Sequence, residues 1–277
     1  MNMNPLVDKL IDLAIAEDIG SGDITTDSLV QPEHTGSAVI VAKEPLMLAG
    51  LGIAREVFRR FDDETRFEPN HGEGDMVEAG QILVKLEGRL SALLKGERTS
   101  LNFLQRMSGI ATHVRAYMDL LGDASVRLVD TRKTVPGWRV LEKYAVRVGG
   151  ASNHRMGLFD GVLIKDNHIA ACGGIATAIR RARERVSHLV KIEIEVSSLE
   201  EVRQALEAGA DIIMLDNMTT DEVRQAVSDI GGKALVELSG NVTVETLRPL
   251  AGTGVDIISI GALTHAARAV DISMDIK

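Results

Sequence analysis

From about residue 126 the chain repeats one unit, and that repeat constrains the fold more than any other feature of the sequence. Short runs rich in Val, Ile and Leu fall at 126–130, 161–165, 191–196, 211–216, 234–239 and 256–261. Between them, stretches at about 137–147, 175–186, 199–208, 220–230 and 244–250 carry apolar residues at helical spacing. Nearly uniform apolar character is expected of parallel strands covered on both faces. Strictly alternating strand and helix patterns predict a parallel sheet joined by crossover helices. No Gly-x-Gly-x-x-Gly follows the first run, which disfavours a dinucleotide fold. Six β-α steps fit a (β/α) barrel better than an open doubly wound sheet, and since closed barrels have eight strands, this one is expected to be incomplete.

The residues before the repeat are of mixed character. Helical periodicity is expected over 6–19 and 49–61, a strand over 37–43, and a long helix over 91–121 with Leu101, Leu104, Ala111, Val114, Met118 and Leu121 on one stripe. Gly109 interrupts that stripe, as a bend or a close helix contact would require. Residues 72–88 resemble half of a biotinyl or lipoyl carrier domain, but no lysine stands where the modified hairpin-tip residue would be. The change in pattern places a domain boundary near residue 112. Two domains are therefore expected, 1–112 and 113–277, with room for the last residues to pack back on the first.

Aromatics make up only 3% of residues, so the core must be built from aliphatic side chains and Met. A net charge of −9 argues against nucleic-acid binding, which needs a basic surface. Cys172 is the sole cysteine and excludes an internal disulfide framework. No apolar run approaches the roughly 18 residues of a membrane span, and no leader pattern opens the sequence, so a soluble cytoplasmic protein is expected.

In barrels of this kind, reactive groups sit at the carboxyl ends of the strands. Here each predicted strand ends in polar or glycine-containing sequence. The early strands offer Thr131, Arg132, Lys133 and Lys165, and the first crossover adds His154 and Arg155. The middle strands offer Glu195 and Asp216. Glu193 shares a strand face with Glu195, and the latter, nearer the strand end, is the expected functional member. The late strands end in Ser239-Gly240-Asn241 and Ile260-Gly261-Ala262, where backbone N–H groups can cradle a phosphate. This segregation suits a substrate with several negative groups and a metal held between carboxylates. A lyase or isomerase acting on a sugar phosphate would also explain the phosphate loops, though not the density of cations. A non-catalytic carrier is the reading that residues 72–88 would support.

Several segments together resemble the quinolinate phosphoribosyltransferase family. They are 97–106 (Glu-Arg-Thr-Ser-Leu-Asn-Phe-Leu-Gln-Arg), 130–134 (Asp-Thr-Arg-Lys-Thr) with Pro136-Gly137, and 141–146. They continue through Asn153-His154-Arg155, 163–169, 193–196, 213–217 and 258–265, in the family's order. The resemblance implies an N-terminal α/β sandwich, an incomplete α/β barrel of about six parallel strands, and a reaction between quinolinate and phosphoribosyl pyrophosphate with Mg²⁺. It implies a homodimer in which Arg98 is donated across the interface. Arg132, Lys133, His154, Arg155 and Lys165 match the pocket for the quinolinate carboxylates and pyrophosphate, beside Thr131. Glu195 and Asp216 match the carboxylates at the ribose and metal. The two late glycine-containing loops match the 5′-phosphate site. The catalytic set implied is Arg132, Lys133, Lys165, Glu195 and Asp216. The sequence departs from the family's pattern at Asn241, where Gly is usual, and at Val135 and Ala151.

Overall fold

The computed structural model describes residues 4–122, 125–240 and 242–277. In chain order the elements are α1 (Pro5–Ile19), α2 (Ile24–Leu29), β1 (Thr35–Ala42), β2 (Leu46–Met47), α3 (Leu51–Phe61), β3 (Arg66–Pro69), β4 (Met76–Val77), β5 (Ile82–Arg89) and α4 (Leu90–Leu121). The repeat follows as β6 (Arg127–Val129), α5 (Arg139–Val148), β7 (Val162–Ile164), α6 (Asp166–Cys172), α7 (Ile175–Arg185), β8 (Ile192–Val196), α8 (Leu199–Glu207), β9 (Ile212–Asp216), α9 (Thr220–Ile230), β10 (Leu235–Ser239), α10 (Val244–Ala251) and β11 (Ile257–Ser259). The chain closes with α11 (Ala262–His265) and β12 (Ile272–Ile276). Two compact units result: residues 1–115, 134–150 and 263–277 form the first, and 116–133 with 151–262 form the second.

In the first unit an antiparallel sheet runs in the order β12-β1-β5-β3. Ala38, Ile40 and Ala42 alternate inward from β1, while Ile272 and Met274 do so from β12, which pairs with β1 in the register Ile40↔Met274. They pack with Ala54 and Phe58 of α3 and Leu93, Leu101 and Leu104 of α4 into one apolar cluster. The carrier-like residues contribute β4 and β5 to this framework. Gly109 lies in α4 without breaking it, and a Cβ there would stand 2.0 Å from the carbonyl oxygen of Arg268. Close backbone contact, not a bend, is what the glycine serves. The same unit buries Glu142 of α5, which accepts from Arg106 Nη2 at 2.7 Å.

The second unit is built on a six-stranded sheet in the order β6-β11-β10-β9-β8-β7, and every pairing given for it is parallel. Helices α7, α8 and α9 bury Ile175, Ala178, Ile179, Val202, Ala205, Val223, Ala226 and Ile230 through their apolar stripes. Helix starts are set locally: the Ser198 hydroxyl accepts from Glu201 N–H at 3.3 Å, and Thr219 and Glu222 cap each other reciprocally. The six expected strands are all present, and β6 and β7 are the sheet's edges, as in an incomplete barrel. A short extra helix, α6, follows β7, between the strand and the helix expected from the sequence pattern. Its first turn is closed by His168, whose Nδ1 accepts from Lys165 N–H at 2.9 Å.

Candidate active site

Parallel strands in register bring all their carboxyl ends to one edge of the sheet. Ser239 pairs with Asp216, and Glu195 with Met214. A cavity of about 530 Å³ opens at that edge. Thr131, Arg132, Lys133, His154, Arg155, Lys165, Glu195, Asp216, Ser239 and Gly240 all line it, together with Asn217, Met214, Leu163 and Ser259. Ten of the residues singled out from the sequence are thus gathered around one space.

The charges within it are arranged in opposition. Lys165 Nζ forms an ion pair with Glu195 Oε2, and both groups are partly exposed to the cavity. Asp216 Oδ2 accepts from Asn217 Nδ2 at 2.9 Å. Asn217 has φ +54, the one non-glycine residue with positive φ among those described, and its N–H donates to Ser239 O at 3.3 Å. Asn tolerates this conformation better than most side chains, and such backbone is commonly kept at functional sites. Beside it Gly240 has φ +95, and a Cβ there would meet Asn217 Oδ1 at 2.3 Å. Only glycine lets the β9 and β10 ends approach this closely. The Arg155 guanidinium donates to Gly161 O at 3.2 Å. Burial, then the neighbouring charge of Arg132, lowers its pKa from the usual arginine value.

Behind the cavity wall lies a second polar cluster. His154 Nε2 stands 3.1 Å from Glu193 Oε2 and 3.5 Å from Glu237 Oε1, and both carboxylates are buried. Oε1 of each glutamate has no hydrogen-bond partner. Burial first, and the charge of Glu193 second, push the Glu237 carboxyl up to about 7, while His154 opposes the shift. Among the described residues, His154, Glu193 and Glu237 are the one set of three potential ligand side chains close enough to share a metal ion, with atoms within 4.8 Å of one another. Glu193 therefore faces His154 beneath the cavity, whereas Glu195 lines it.

Other residues expected at the site fall elsewhere. Arg98 lies on the exposed side of α4 in the first unit and is not part of this cavity's wall. Ile260 is buried with its N–H donating to Val129 O at 3.0 Å, so that N–H is already engaged. Gly261 and Ala262 follow it into α11 and are not among the wall residues. Asn241 lies outside the described residues. Asp130 and Asn217 stood among the polar strand ends in the sequence without an assigned role, and Glu237 was not singled out. For Asn217 the available signal was its place directly after a strand-terminal Asp. For Glu237 it was a lone carboxylate inside an apolar run.

Comparison with known proteins agrees over the whole chain. The family described as quinolinate phosphoribosyl transferase, C-terminal domain, matches residues 110–275, and its N-terminal domain matches residues 23–108. A Bacillus subtilis protein named probable nicotinate-nucleotide pyrophosphorylase [carboxylating] is 46% identical over 268 residues, covering 97% of this chain and 92% of that one. An Arabidopsis thaliana chloroplastic protein of the corresponding name is 40% identical over 286 residues, covering 96% and 82%. The crystal structure of NadC from Streptococcus pyogenes superposes with a TM-score of 0.96 at 40% identity, covering 100% of this chain and 99% of that one.

Proposed function

Since this chain belongs to the quinolinate phosphoribosyltransferase family, we propose that the cavity at the strand ends is where its two substrates meet. The reaction transfers phosphoribose from phosphoribosyl pyrophosphate to quinolinate with decarboxylation. It gives nicotinate mononucleotide, pyrophosphate and CO₂ in de novo NAD biosynthesis. The observation that carries the assignment of the cavity is the convergence of Arg132, Lys133, Arg155 and Lys165 with Glu195 and Asp216 on one wall.

Arg132, Lys133, Arg155 and Lys165 hold the dicarboxylate and the departing pyrophosphate by charge-assisted hydrogen bonds. Ser239 and Gly240 receive the 5′-phosphate. As pyrophosphate leaves, positive character grows at the ribose C1, and a carboxylate fixed nearby stabilises it without reorganising. Holding the pyridine nitrogen against C1 converts a bimolecular attack into a positioned one. Loss of the 2-carboxylate as CO₂ then leaves a carbanion beside a ring nitrogen made cationic by ribosylation, so no further electron sink is needed, and uptake of one proton at that ring carbon completes the product.

Glu195 and Asp216 supply half-buried hard oxygen donors in a cavity otherwise rich in cations, which fits Mg²⁺. That ion typically takes one or two carboxylates and completes its shell with water and substrate phosphate. When bound, it shares the neutralisation of the pyrophosphate charge. A homodimer, or a higher assembly containing that dimer, with Arg98 reaching a neighbour's site is part of this reading, supported by the exposure of Arg98 and its absence from the residues lining the cavity. So is a cytoplasmic location. Among the described residues, no helix is long and apolar enough to cross a membrane.

The purified protein with Mg²⁺ and both substrates is expected to release CO₂ and form nicotinate mononucleotide. Arg132→Ala and Lys133→Ala are each expected to abolish this, and robust turnover by either would remove that residue from its role.

A further inference from the structure

We propose that Asp130 is a positioning residue for the reaction, its buried carboxylate tying the segment that carries His154 and Arg155 to the strand end that carries Arg132 and Lys133. The proposal rests on the cavity being the catalytic site.

The strand β6 is an edge of the sheet and ends at Val129. Alongside it runs the start of the crossover: Ser152 N–H donates to Leu128 O at 2.9 Å, and Asp130 N–H donates to Ser152 O at 3.2 Å. This short parallel bridge stops before the functional residues begin. From there the Asp130 carboxylate takes over. Its Oδ1 accepts from His154 N–H at 2.9 Å, and its Oδ2 accepts from Asn153 Nδ2 at 2.6 Å. The next link is local, with Arg155 N–H donating to His154 Nδ1 at 2.7 Å.

Asp130 is 0% exposed and does not line the cavity, so it touches neither substrate. What it connects does. Arg132 and Arg155 are close enough for the charge of one to lower the pKa of the other. Two cations brought together to grip one anion repel each other while the site is empty. A buried carboxylate hydrogen-bonded to the backbone beneath them opposes that separation, and bonds to an ionised acceptor are the stronger kind. Thr131, Arg132 and Lys133 follow Asp130 directly, so a shift of the carboxylate moves both halves of the grip.

Asp130→Asn keeps the shape, removes the charge and turns an amide toward the Asn153 amide. Its kcat/KM for quinolinate is expected to fall by at least about tenfold, toward the 10²-fold loss typical of reacting groups misplaced by about 1 Å. Asn153→Ala, which cuts the same tie from its partly exposed end, is expected to fall in the same direction. The exchange Asp130→Asn with Asn153→Asp restores an amide–carboxylate pair and is expected to recover most of the loss. A merely structural role would lower the melting temperature without such recovery of kcat/KM per folded enzyme. Wild-type kcat/KM in either single variant, or no recovery in a folded exchange variant, would overturn the proposal. Arg132→Ala measured alongside separates the two failures. If it too stays active, the cavity assignment falls; if it alone is inactive, only the role of Asp130 does.

Discussion

Replacing Glu237 by Gln should change how the stability of the protein depends on pH. Glu237 is 1% exposed, beside the buried Glu193 and His154. Burial and the Glu193 charge move its pKa from the ordinary 4.5 to about 7. The folded state therefore holds this proton more tightly than the unfolded chain does. Its contribution to stability is full below pH 4.5 and is lost as pH rises through about 7, the reverse of a salt-bridged carboxylate. Linkage over that interval gives about 2.5 kcal/mol of stability lost between roughly pH 5 and pH 8 from this one group. Gln is neutral throughout and cannot contribute that slope. Urea unfolding of both proteins at half-unit steps from pH 5 to 8 isolates this buried cluster, because titrating groups distant from Glu237 cancel in the difference. The variant is expected to gain on the wild type steadily as pH rises. Parallel stability curves for the two proteins would refute the assignment of a raised carboxyl at Glu237.

Other perturbations follow from single contacts. Gly109→Ala puts a methyl group 2.0 Å from the Arg268 carbonyl oxygen and is expected to cost about 3 kcal/mol by urea unfolding, since backbone must move to admit it. An unchanged midpoint would contradict the close approach. Glu142→Ala strips the carboxylate that accepts from Arg106 Nε at 3.2 Å and Nη2 at 2.7 Å, and is expected to cost about 3–5 kcal/mol as a broken buried pair. Gly240→Ala, at φ +95 and against Asn217, is expected to lower kcat/KM by about 10²-fold and stability by about 1–3 kcal/mol, checked by paired kinetics and urea unfolding. Inactive Arg98→Ala and Lys133→Ala proteins, mixed and allowed to exchange subunits, are expected to regain roughly a quarter of wild-type activity if a two-fold dimer shares its sites. No recovery would count against a donated arginine.

The repeating strand and helix pattern, and the polar residues at each strand end, were legible without coordinates. Periodicity is a local property, and one hydrophobic pattern specifies both the element and its buried face. Parallel strands in a common register then force Arg132, Lys165, Glu195, Asp216 and Ser239 to one edge, so the cavity wall could be read from where the runs stop. The destinations of some segments could not. Helix α5 lies within the repeat in sequence yet belongs to the first unit, and the last residues, allowed to pack back on the first domain but not expected as a strand, form β12 and pair with β1. The sequence pointed to Glu195 over Glu193 at the strand end, but it could not show what Glu193, two residues earlier on one strand face, would meet. One turns to His154 beneath the cavity and the other to Lys165 within it. Asp130 looked like the start of a cationic motif and proved to be the buried acceptor beneath it. Local pattern determined which residues would be strands, helices and strand ends. Burial, partner identity and the pKa shift of Glu237 depend on groups distant in the chain, and only tertiary packing sets those distances.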